Sequence, residues 1–135
     1  MRTGGAGGGR ADRLGHARRP AERVATLDQL LRIEPSAIAY ERMGSGLFRL
    51  RRYDAALESF QKALSMDSGH FPALNGVAVC QLNEFLWSGQ RDTSSLGDAV
   101  VALRRSLQLE PGQPQIVELL RRYGAGANRA QASGG

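Results

Sequence analysis

An all-α fold, a stack of antiparallel helix pairs with about six helices, follows from three features of this sequence. A residue pattern returns with a period near 34, which is the mark of a helical solenoid. Within each period, apolar and small residues recur three and four apart, the spacing of one helical face. The 135 residues, 41% of them hydrophobic, leave room for one domain with a modest core.

Residues 1–19 are expected to form a disordered basic tail. Gly4 to Gly9 is nearly all glycine, and a stretch of Gly, Ala and Arg buries too little apolar surface to fold. Five arginines (2, 10, 13, 18 and 19) against Asp12 give this stretch +4. The remaining 13 basic and 12 acidic residues give +1, so the net +5 belongs mainly to the tail.

A domain is expected over residues 20–123, beginning with a half repeat at 20–36. There, Arg23 to Pro35 reads as the second helix of a lost pair, with Val24, Leu27, Leu30 and Leu31 on one face. Ser36, after Pro35, is placed to cap the next helix.

The first full repeat spans 37–70. Tyr40, Met43-Gly44 and Leu47 stripe its first helix; Ala56, Phe60, Ala63 and Leu64 stripe its second. Large residues must meet small ones where two helices cross, so Gly44 and Ala56 are expected against Tyr40, Leu47 and Phe60. Asp54 is expected to cap the second helix.

The second repeat, 71–113, places Leu74, Val77, Ala78, Ala99, Leu103, Ser106 and Pro111 in the same roles if nine extra residues fall between its helices. The insertion is expected around Glu84 to Ser95, with Ser88-Gly89 breaking the first helix and Ser95-Leu-Gly-Asp98 opening the second as a capping box. A short capping helix at 114–123, with Ile116, Leu119 and Leu120 inward, would close the stack. Residues 124–135 are expected to be a second disordered tail.

Tyr40, Gly44, Tyr53, Ala56, Phe60 and Ala63 resemble the tetratricopeptide repeat family, and the likeness extends with gaps over Pro20 to Tyr123. Ser68 stands where the family has proline. The resemblance implies a right-handed superhelix whose first helices line a concave groove for an extended peptide or a helix. It then implies groove-facing positions at Ile38, Glu41, Arg42, Ser45, Phe48 and Arg49, and at Asn75, Val79, Leu82 and Asn83. A carboxylate clamp found in some members is not carried over, because its positions hold Glu41, Ser45 and Gly76.

Catalysis needs converging groups, and none are visible. His16 and His70 lie too far apart to share a helix face, so no histidine pair for a metal can form. Ser45 between Gly44 and Gly46 has the wrong spacing for a nucleophile elbow, and the glycine run lacks the Lys-Ser/Thr of a phosphate loop. An enzyme, a metal and a cofactor are therefore not expected. The one cysteine, Cys80, allows no internal disulfide and reads as core packing in a reducing compartment. No run of apolar residues reaches the ~18 needed to span a membrane, and no secretory signal is seen; a cytoplasmic protein is expected.

The sequence thus points to a non-catalytic scaffold for protein–protein contact. Two full repeats are few where about three are usually needed, so pairing with a partner or a second copy is expected unless the half repeat and cap complete the core. Trp87, following Phe85 and Leu86, is either an exposed interface anchor or folded onto the second helix near Leu96 or Val100. An alternative function is nucleic-acid or anionic-surface binding through the arginine-rich tail with Arg49, Arg51 and Arg52, though no aromatic residues interleave the tail. The chain is otherwise read as one domain of a larger protein.

Overall fold

A computed structural model describes the backbone of residues 8–134 and the side chains of residues 19–130. Among these residues there are six α-helices and no strand: α1 (Gly8–Ile33), α2 (Ala37–Arg49), α3 (Tyr53–Met66), α4 (Phe71–Trp87), α5 (Thr93–Leu109) and α6 (Pro114–Gly134). Each packs on the next in chain order, and α2 also touches α4, which is the contact pattern of stacked helix pairs.

The crossing of α2 and α3 works by size matching. A Cβ added at Gly44 would lie 2.7 Å from the Phe60 ring, and one added at Gly76 of α4 would meet the same ring still more closely. Phe60, 3% exposed, is therefore gripped between two glycines on two helices. Around it, Leu47, Ala56, Ala63, Ala73 and Cys80 form one buried cluster. Leu74, Ala78, Leu82, Phe85, Leu103 and Ile116 belong to a second cluster, which joins α4, α5 and α6.

Several boundaries differ from expectation. The Ser36 hydroxyl does cap α2, accepting the Ala39 N–H at 3.1 Å. Asp54, however, does not cap α3: that position belongs to Arg52, whose side chain makes no capping bond, and Asp54 sits in the first turn, where its charge favours the helix dipole. Helix α5 starts before Ser95, because Asp92 accepts the Ser95 N–H at 3.0 Å and the Ser95 hydroxyl at 2.8 Å. These bonds hold the Asp92 carboxyl below its usual range.

Helix α1 starts, and helix α6 ends, within the stretches expected to be tails. Residues 1–7 lie outside the described residues, but the backbone is helical from Gly8 onward and passes through Pro20. Extending an anchored helix costs far less than starting one, and Leu27 and Leu31 anchor α1 in the stack. At the other end α6 runs to Gly134, not Tyr123. Gly124 is buried and Ala127 is 3% exposed, so α6 still packs on the stack beyond Tyr123.

Candidate functional site

The exposed sides of α1, α2 and α4 enclose two adjoining recesses. The first, about 700 Å³, is lined by Glu22, Arg23, Thr26 and Leu27 of α1 and by Glu41, Arg42, Ser45 and Arg49 of α2. The second, about 280 Å³, has Phe48, Phe60, Pro72 and Val79 as apolar walls, with Gly76, Ser45, Arg49 and Asn75 completing it. Seven residues expected to face a groove thus come together here: Glu41, Arg42, Ser45, Phe48, Arg49, Asn75 and Val79. Helical spacing brings Ile38, 54% exposed, onto the stripe of Arg42.

Leu82 and Asn83 are corrections. Leu82 is 6% exposed and belongs to the core between α4 and α5. Asn83 lies one turn further along α4, in a separate recess with Arg51, Arg52, Tyr53, Glu84 and Trp87. Leu82 and Asn83 share the broad face of Val79 but flank its line, about 60° to one side and about 40° to the other, so the first meets α5 and the second the start of α3. Trp87 itself is 77% exposed and does not fold onto α5.

The polar groups of the first recess are unevenly used. Glu41 accepts the Ser45 hydroxyl at 3.1 Å, and His70 Nε2 lies 3.9 Å from its other oxygen. His70 is largely buried, and its Nε2 has no hydrogen-bond partner among the described residues. Among the same residues, Arg23, Arg42 and Arg49 make no ion pair.

Asn75 is less free than its position suggests. Its amide donates to Gln113 Oε1 at 2.8 Å, while its carbonyl oxygen accepts the Ser106 hydroxyl at 2.6 Å. Gln113 Nε2 in turn donates to the Ser106 hydroxyl and to the Glu110 carbonyl. The cluster staples α4 to α5 and to the segment before α6. Sequence reading missed it; the available signal was serine at 106, where the first repeat has Ala63.

Other expected features fall elsewhere. Arg49 and the Arg51–Arg52 pair line different recesses and form no single basic patch. The side chains of Arg2, Arg10, Arg13 and Arg18 lie outside the described residues, as do those of the glycine run and His16. Cys80 is buried, and desolvation pushes its thiol up to about 11. No cluster of His, Cys, Asp and Glu suited to a metal occurs among the described residues, and no helix there is long and apolar enough to cross a membrane.

Fold and recesses together define an all-helical repeat stack. Residues 37–70 match the tetratricopeptide repeat family. Repeats of this family generally mediate contact between proteins. The chain is also similar to sperm-associated antigen 1 of Mus musculus, with 35% identity over 77 residues. That match covers 57% of this chain but only 8% of the relative's length.

Proposed function

We propose that the protein is a non-catalytic interaction module that holds a segment of a partner protein against the face shared by α2 and α4. The observation that carries this reading is the recess walled by Phe48, Phe60, Pro72 and Val79, with Ser45 and Arg49 at its edge. At about 280 Å³ it suits an inserted apolar side chain better than a drug-sized ligand. Arg49 beside it offers a two-pronged contact to a carboxylate or backbone carbonyls. Glu41, Arg42 and Ser45 continue the same face toward α1. A repeat domain that starts near residue 20 and continues through α6 beyond residue 123, and a cytoplasmic setting suggested by the lone thiol, are part of the proposal.

Trp87 supports a second contact point at the C-terminal end of α4. An exposed tryptophan beside Arg51 and Arg52 has the composition of an interface anchor. Capture of partners from the native cell with wild-type protein, Val79→Asp and Trp87→Ala separates the two. A specific partner that Val79→Asp loses and Trp87→Ala keeps is the expected result. Retention of every partner by Val79→Asp, with the variant folded, contradicts the recess as the binding site.

A further inference from the structure

We infer that the recess between α1 and α2 receives an amphipathic helix of a partner protein, apolar in its N-terminal half and acidic in its C-terminal half. The inference rests on the interaction reading above and specifies what one part of that face binds. Its starting point is the phase of the stack. Helix α2 lies along α3 and also touches α4; α4 lies along α5. By its place in the repeat, α1 is the second helix of a pair, yet among the described residues α2 is the helix it chiefly packs on. A first helix related to α1 as α2 is to α3 would touch both α1 and α2, and would fill the recess of about 700 Å³ between them.

The face that holds the recess changes character along its length, and its apolar end lies beyond the lining residues. Leu30, Ile33 and Ile38 are 51%, 81% and 54% exposed, and they continue the stripes of Thr26 and Arg42 to the α1–α2 turn. Three large apolar groups left half or more in water at one end call for an apolar partner. At the other end stand Arg23 and Arg49, with Arg42 between. Glu41 already serves Ser45, so Glu22 is the remaining carboxylate among the lining residues. A helix running parallel to α2, as the repeat dictates, would bring its C-terminus to the arginines. Its dipole and any acidic side chains would meet positive charge there. A second copy docked face to face about a two-fold axis would instead set arginines near arginines.

The test uses synthetic helical peptides of about 16 residues and the full chain, read by fluorescence anisotropy. The probe has leucines spaced three and four apart in its first half and glutamates in its second; a control replaces glutamate with lysine. The glutamate peptide is expected to bind at least about tenfold more tightly than the control. Arg23→Glu, an exposed change that should preserve folding, is expected to erase most of that difference, and Ile33→Glu to abolish binding. Val79→Asp, outside this recess, is expected to leave it unchanged. Equal binding of both peptides, no binding of either, or indifference to Arg23→Glu overturns the inference. So does a dimer of the free protein that Ile33→Glu dissociates, which would assign the recess to a second copy. If Val79→Asp still abolishes partner capture while Arg23→Glu has no effect here, the α2–α4 reading stands and only this inference falls.

Discussion

Glycine at position 76 has a structural duty that its sequence position conceals. The first repeat has Arg42 at the equivalent place, so nothing in the repeat grammar asks for a small residue. Here α4 passes so near the Phe60 ring that a methyl group would force the ring or the helix aside. Gly76→Ala should destabilise the fold by about 1–3 kcal/mol in denaturant unfolding, even though alanine is the better helix former. Its neighbour Cys80 gives a pH signature. The folded thiol titrates at about 11 against an ordinary 9.0, so the folded state holds its proton more tightly. The associated stability is full below pH 9 and is lost as the pH rises from 9 toward 11. Unfolding midpoints of wild-type and Cys80→Ala should therefore converge over that range, and iodoacetamide should label the thiol only after unfolding.

At the level of helices, much was legible because periodicity fixes which residues face inward. Leu47, Ala56, Phe60 and Ala63 are buried as their spacing requires, and the break at Ser88-Gly89 ends α4. Helix starts were less readable, since Asp54 and Asp92 are both plausible caps and only backbone geometry selects between neighbouring turns. The ends of the chain were least readable. Glycines that disfavour a helix in isolation are tolerated in α6 because Ile116 and Ala127 are buried against the stack, a gain that local propensity cannot register. The groove positions were legible on α2 and lost beyond Val79, where two residues flanking its line were assigned to the groove. The staple of Asn75, Ser106 and Gln113 links three segments and is therefore invisible in any one of them. Ser106→Ala restores the residue type of the first repeat yet leaves Asn75 Oδ1 without its donor. It should cost about 1–3 kcal/mol of stability, whereas the double variant Ser106→Ala/Asn75→Leu should recover part of that loss.

Across the whole molecule, the two ends of the stack are finished differently. Helix α6 presents polar groups outward, with Glu118 and Arg121 paired at 2.6 Å. Helix α1 leaves Leu30 and Ile33 in water. Leu30 and Ile33 left in water beside α1 suit that end to receiving a partner, and the two recesses adjoin on that side. The interaction reading is tested most directly by a photo-crosslinking residue placed in turn at Arg42, Val79, Gln61 and Gln108 in the native cell. Specific adducts with one partner at Arg42 and Val79, and none at Gln61 on α3 or Gln108 on α5, are predicted. Adducts at Gln61 or Gln108 with none at Arg42 and Val79 would contradict it.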